Sequence, residues 1–288
     1  METITVSTCN LNQWALDFSG NLDRTKKSFM EAKLHNSMYR LGPELELCGY
    51  GCNDHFYEPD TVLHCWQSLA HLMTEECCRN IIADVGMPVL HKGVLYNCRV
   101  IFYNREILLI RPKMVMANGG NYRETRWFTS WQEKRVEQYV LPTLISRISG
   151  QKFVLFGDGI LRTPYCHFGS ESCEELFAPI SPHVNLSLCG VEVITNGSAS
   201  HHEFRKLETR IGLISAATRK CGGLYLYANQ KGCDGERMYY DGSALIVLNG
   251  EVLAQGSQFS IADVVQLNLT KGSSDCNCRY FSGSLLSF

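Results

Sequence analysis

Short β-branched runs alternate with amphipathic helical runs along almost the whole chain, and this alternation narrows the possible folds more than any other feature. Thr3-Ile4-Thr5-Val6-Ser7 switches between polar and apolar at every step, the pattern of a half-buried strand. Residues 20–39 then carry Leu22, Phe29, Ala32 and Leu34 near one side of a helix. Leu63, Trp66, Leu69, Leu72 and Met73 give a second helix at three- and four-residue spacing. Residues 81–89 and 98–103 read as strands, and Asn104-Arg105 turns the second of them back into Ile107-Leu108-Leu109-Ile110. Residues 135–148 have helical character that Pro142 should break or kink. Further strands are expected at 153–156, 159–161, 191–195 and 224–228, with a helix from about His202 to Lys220. Asn249-Gly250 between residues 243–248 and 251–255 is the strongest hairpin signal in the chain. There is no internal repeat, so the pattern predicts one layered α/β domain with mixed sheets.

Composition removes several function classes. A chain of 288 residues can bury about 75% of its extended surface. Its 27 basic and 29 acidic side chains leave a charge of -2, which gives no electrostatic reason to expect nucleic acid or an anionic membrane as partner. No apolar run is long enough to span a bilayer, and Met1-Glu2-Thr3-Ile4 lacks the basic start of a secretory signal. The expected setting is the cytoplasm. Disulfide scaffolds belong to small secreted domains, and this chain is large, so its 14 cysteines are read mainly as buried thiols such as Cys9, Cys98 and Cys189. The close pairs Cys48/Cys52, Cys77/Cys78 and Cys276/Cys278 lack the matching second half of a zinc site, so no metal is expected. The triplets at Asn185, Asn196 and Asn268 would be glycan acceptors only in a secreted protein.

Three separated segments hold candidate chemistry. In Gly42-Pro43-Glu44-Leu45-Glu46-Leu47-Cys48-Gly49-Tyr50, a short strand would put Glu44 and Glu46 on one face. In Leu108-Leu109-Ile110-Arg111-Pro112-Lys113, an ammonium follows an apolar strand. In Gly169-Ser170-Glu171-Ser172-Cys173-Glu174-Glu175-Leu176, small residues lead through a sharp turn to a thiol at a helix start, where backbone N–H groups favour a thiolate and can receive an oxyanion. Taken singly, each has a bland alternative: solvated carboxylates, a lysine snorkelling to water, a buried structural thiol.

Taken together, the Glu–Lys–Cys order and these flanking residues resemble the carbon-nitrogen hydrolase (nitrilase) superfamily. The blocks Asn12-Gln13-Trp14-Ala15-Leu16-Asp17, Asn121-Tyr122-Arg123-Glu124, Cys173-Glu174-Glu175-Leu176 and Ala228-Asn229-Gln230-Lys231-Gly232-Cys233-Asp234-Gly235 are similar to the glutaminase domain of eukaryotic glutamine-dependent NAD synthetases. That resemblance covers residues 1 to about 267 and implies a four-layer αββα sandwich. Residues 268–288 are expected to be a divergent, loosely attached tail, ending in Leu285-Leu286-Ser287-Phe288.

The resemblance implies that Cys173 is the nucleophile, Glu44 the proton carrier and Lys113 the cation facing the oxyanion, beside the Glu174 backbone N–H. It implies glutamine as substrate and ammonia and glutamate as products, with no cofactor for that step. Tyr50 and Tyr122 would lie near the glutamine pocket. Ser198, Ser200 and Arg205, following the 191–195 strand, are candidates to hold the charged end of the amino acid. Glu124 is the candidate additional carboxylate, with Glu137 competing for the role. Ser172 stands where relatives have a β-branched apolar residue, and Pro164 falls in the run expected to lead as a strand into Cys173. The Ser-Gly-Gly-x-Asp-Ser phosphate loop of the synthetase domain is absent from this sequence, so ATP and deamido-NAD are expected to belong to a synthetase domain that this sequence lacks, which is one expected partner. Association through nitrilase-type interfaces is the other expected partnership. A catalytically weak assembly subunit, or a different amidase of the superfamily, are the alternative readings.

Overall fold

Residues 3–235 and 237–272 are described by the structure, a computed structural model. The chain opens with β1 (Thr3–Leu11), α1 (Phe18–Leu34), β2 (Tyr39–Leu41), α2 (Pro59–Thr74), β3 (Ile82–His91), β4 (Val94–Tyr103) and β5 (Glu106–Pro112). It continues through β6 (Glu137–Val140), α3 (Thr143–Ser149), β7 (Phe153–Phe156), β8 (Ile160–Arg162), β9 (His167–Ser172) and α4 (Pro182–Leu188). The last part holds β10 (Val193–Ser198), α5 (Lys206–Cys221), β11 (Leu224–Cys233), β12 (Tyr239–Asp241), β13 (Leu245–Leu248), β14 (Glu251–Gln255) and β15 (Val264–Gly272).

The strands form two arms that meet at β1. One arm runs β6-β7-β5-β4-β3-β2-β1 and the other β11-β10-β9-β8. β1 is parallel to β2 at Val6–Thr8 and to β11 at Asn10–Leu11, and β15 lies antiparallel along its other edge. Period-two alternation explains how the arms stack, because both faces of the central strands are apolar. On β3 and β4, Ala83, Val85, Met87, Val100 and Phe102 pack under α1, α2 and α3, against Phe29, Trp66, Leu69 and Ile145. Ile82 and Ile101 point the opposite way, into an inter-sheet core with Val6, Leu41, Phe168, Val193, Leu224, Leu226 and Ala228. On β11 the intervening Tyr225 and Tyr227 face Leu186 and Ile214 of α4 and α5. The result is helices, sheet, sheet, helices: the expected four-layer αββα sandwich.

Several local expectations change. α1 starts at Phe18, where the Asp17 carboxylate accepts from the Gly20 N–H at 3.1 Å, and it ends at Leu34. Residues 135–148 are not one helix: 137–140 pair antiparallel with β7, and α3 begins only after Pro142. Pro164 lies in the turn between the antiparallel strands β8 and β9, outside the ladder, so its missing N–H costs no strand pairing. α5 starts at Lys206, later than expected. Residues 44–48 form a compact turn instead of a strand, with Leu45 at φ 50°, and this sends Glu44 and Glu46 to different partners. The hairpins at Asn104-Arg105 and Asn249-Gly250 have positive φ at both turn residues, as tight hairpin turns require. Cys189 is exposed, while Cys9 and Cys98 are buried, and the described cysteines are free thiols. The boundary near 267 falls inside a strand: residues 268–272 complete β15 against the start of β1. The remainder of the expected tail, 273–288, with Cys276 and Cys278, lies outside the described residues.

Candidate active site

The nucleophile candidate sits on a sharp corner. β9 ends at Ser172, Cys173 takes φ 43°, and a 3-10 turn runs from Cys173 to Leu176. The Cys173 N–H donates to Asn196 Oδ1 of β10 at 2.9 Å, which fixes the corner to the neighbouring strand. Ser172 is buried and forms a capping box with Glu175, so its hydroxyl has a partner. The Ser198 hydroxyl donates to the same Asn196 oxygen at 2.8 Å, so Ser198 braces the corner.

Lys113 follows the last residue of β5, its backbone N–H bound to the Asn97 carbonyl. Its Nζ lies 2.6 Å from Glu44 Oε1 and 2.8 Å from Glu124 Oε1, with all three side chains buried. Glu44 is held from several sides. Asn97 Nδ2 donates to Oε1 at 2.8 Å and the Ala199 N–H to Oε2 at 3.1 Å. Arg99 holds the preceding carbonyls of Gly42 and Pro43, each at 2.8 Å, while pairing with Asp84 at 2.7 Å. Glu124 accepts from the Tyr50 hydroxyl at 2.6 Å and the Ala117 N–H at 2.8 Å. The competing Glu137 instead pairs with His91 and Lys92 and makes no bond to Lys113. Glu46, on the turn with Glu44, is buried against Arg40 at 2.9 Å.

Burial raises the pKa of Glu44; the Lys113 charge pulls it back and Glu124 pushes it up again, leaving a carboxylate more basic than usual. Burial opposes the charge on Lys113, but Glu124 and Glu44 outweigh it and hold the ammonium well above its ordinary range. Burial also pushes the Cys173 thiol up, Glu44 adds to this, and Lys113 opposes it. Lys113 is thus hydrogen-bonded between the carboxyl groups of Glu44 and Glu124, close enough to Cys173 for its charge to act on the thiol.

Cys173 opens onto a cavity of about 380 Å³ whose wall also includes Tyr122, Glu174, Ser200, Glu203 and Lys206. The Tyr122 hydroxyl donates to the Ala199 carbonyl at 2.7 Å and accepts from the His201 N–H at 2.9 Å. Tyr50 meets its ring edge to face, centroids 5.7 Å apart. Ser200 Oγ has no hydrogen-bond partner among the described residues. Arg205 departs from expectation. It is exposed and lines an adjoining surface hollow with Leu207 and Glu208, which shares Glu203 and Phe204 with the cavity wall; the left-handed φ of 63° at Arg205 turns the chain just before α5. The cation in the cavity wall is its neighbour Lys206, paired with Glu203 at 3.1 Å. The sequence reading also missed Asn97 and Asn196, whose neutral amides carry no local signal of their role.

Comparison with known proteins identifies the family and the fold. The carbon-nitrogen hydrolase family model matches residues 5–271. The chain is 58% identical over 272 residues to the glutamine-dependent NAD(+) synthetase of Dictyostelium discoideum, covering 94% of this chain and 38% of that protein. A glutamine-dependent NAD(+) synthetase from Cytophaga hutchinsonii superimposes with a TM-score of 0.83 at 26% identity, over 93% of this chain and 43% of that one. An amidase of the nitrilase superfamily from Nesterenkonia shares the fold, with a TM-score of 0.74 at 15% identity over 95% and 92% of the two chains. The chain thus spans about two fifths of the length of the synthetases it matches. A family match through nearly every described residue, on a sandwich that brings Glu44, Lys113 and Cys173 together, makes the chain a member of the carbon-nitrogen hydrolase family, with the chemistry of an amidohydrolase.

Proposed function

We propose that this chain hydrolyses the side-chain amide of glutamine to glutamate and ammonia through a thioester on Cys173. The observation that carries the reading is the Lys113 ammonium held between Glu44 and Glu124 beside a thiol that opens onto a cavity. An amide carbon needs a strong nucleophile, a proton carrier and stabilisation of the developing charge. Cys173 Sγ attacks the carboxamide carbon as Glu44 takes the thiol proton, so the raised pKa of the thiol is overcome by coupled transfer to a basic carboxylate. The oxyanion meets the Lys113 ammonium and the Glu174 backbone N–H. Glu44 returns the proton to nitrogen, the C–N bond breaks and ammonia leaves. Water then attacks the thioester, Glu44 takes its proton, and glutamate departs as Cys173 recovers its hydrogen.

A free amino acid carries both charges at the end remote from its amide. The Glu203–Lys206 pair in the cavity wall offers the complementary charges, with Ser200 as a further polar contact and Tyr122, its ring braced by Tyr50, beside the chain between. Every group this reaction uses comes from the chain, so it needs no cofactor. By likeness to the relatives, the ammonia aminates deamido-NAD in an ATP-dependent synthetase part, joined to this unit or supplied by association. A cytoplasmic setting suits a chemistry that depends on a reduced thiol.

The test is ammonia release by the purified chain, offered glutamine, asparagine and simple aliphatic amides. Turnover led by glutamine and lost in Cys173→Ala is the expected result. Retained turnover in that variant, or indifference to glutamine, overturns the assignment.

A further inference from the structure

Of the fully buried carboxylates that the mechanism leaves unused, Glu175 bonds to the segments of both Cys173 and Lys113. Glu175 stands two residues after Cys173, in the 3-10 turn, and is completely shielded from solvent. Its Oε2 accepts from the Ser172 N–H at 2.7 Å and from Arg111 Nη1 at 2.6 Å. Its Oε1 accepts from the Met114 N–H at 2.5 Å. Ser172 immediately precedes Cys173, Met114 immediately follows Lys113, and Arg111 precedes Lys113 by two positions. Ser172 belongs to one arm of the sandwich, and Arg111 to the other.

We propose that Glu175 is a positioning residue: a single carboxylate that staples the segment carrying Lys113 to the corner carrying Cys173 and so sets the distance between ammonium and thiol. This rests on the amidohydrolase reading of the site. The distance matters because the ammonium must meet an oxygen bonded to the carbon that the thiol attacks, and a misplacement of about 1 Å costs on the order of 10²-fold in rate. A carboxylate suits the task because both oxygens only accept, and all three partners only donate. An amide does not: whichever way Gln is turned, its NH2 faces at least one N–H donor.

Glu175→Gln is therefore expected to lower kcat about 10²-fold with KM nearly unchanged, because cavity-wall groups are left in place. Combined with Lys113→Ala, it should add little further loss, since it acts largely through the position of Lys113. Alkylation of Cys173 by iodoacetamide should slow about 10-fold. That measurement uses no glutamine, so it still reads the staple if the glutamine assignment fails, whereas a wild-type chain inert to glutamine speaks only against that assignment. Unchanged kcat and alkylation in a folded Glu175→Gln variant overturns the proposal, as does a loss fully additive with Lys113→Ala. Should Arg111, left short of a partner, prevent that variant from folding, the pair Arg111→Met with Glu175→Gln removes both charges and is read the same way. If neither folds, Glu175 is a determinant of folding and the positioning role falls.

Discussion

Lys113 Nζ lies 2.6 Å from a Glu44 carboxylate oxygen, and neither side chain is more than 1% exposed. Desolvating two charges costs several kcal/mol per ion, and such a pair persists only where its hydrogen bonds are completed. Asn97 and Ala199 complete those of Glu44; Glu124 takes the other side of the ammonium. The site is thus rigid before substrate arrives, and its charges need no reorganisation when an oxyanion forms.

Lys113→Ala removes the charge that the proposed mechanism sets against the oxyanion and leaves two buried carboxyl groups without the cation between them. A loss of about 10²–10³ in kcat is expected. Removing one member of a buried pair should also lower stability by about 3–5 kcal/mol. Turnover and denaturant unfolding measured together check both; near-normal values in either assay would show that the ammonium does not have this role.

The pH profile reads Glu44 directly. In the proposed mechanism Glu44 must be ionised to act as base, and burial raises its pKa above the ordinary 4.5, so activity is expected to fall as pH drops through a value above 4.5. The acid limb of kcat/KM for glutamine, which reports the free enzyme, is the measurement. A limb at or below 4.5 would place the essential proton elsewhere.

Two neighbouring cations separate cleanly. Lys206→Ala should raise KM for glutamine by about 10-fold or more, the worth of a hydrogen bond to a charged group. Arg205→Ala should leave KM unchanged, because that side chain faces a different hollow. Steady-state kinetics of the two variants decide between them, and the reverse pattern would restore Arg205 to the site.

Gly197 is a packing requirement of the Glu44 turn. A Cβ there would lie 2.3 Å from Arg99 Nη1 and 2.6 Å from the Gly42 carbonyl oxygen. Gly197→Ala is expected to cost about 1–3 kcal/mol in stability by overpacking, and to lower kcat by displacing the segment before Glu44. A melting curve and turnover like those of the wild type would show that the turn adapts freely.

The layered α/β class was legible because period-two alternation and tight-turn dipeptides are local, as at Thr3–Ser7 and Asn249-Gly250. What stayed hidden depends on partners distant in sequence. Strand 137–140 exists because residues 153–156 lie beside it, and Pro164 is harmless because a hairpin turns there. Glu44, Lys113 and Cys173 stood out through the motifs around them. Asn97, Asn196 and Lys206 reach the site through places that only the folded sandwich creates. The left-handed backbone at Arg205 decided which of two adjacent cations enters the cavity, and nothing in the residue types announces that turn.

The most direct measurement is rapid-quench mass spectrometry of the chain mixed with glutamine. A transient adduct of glutamine less ammonia, confined to the peptide bearing Cys173 and missing in Cys173→Ala, is expected. Ammonia release with no adduct on that thiol, or with an adduct on another residue, would contradict covalent catalysis at Cys173.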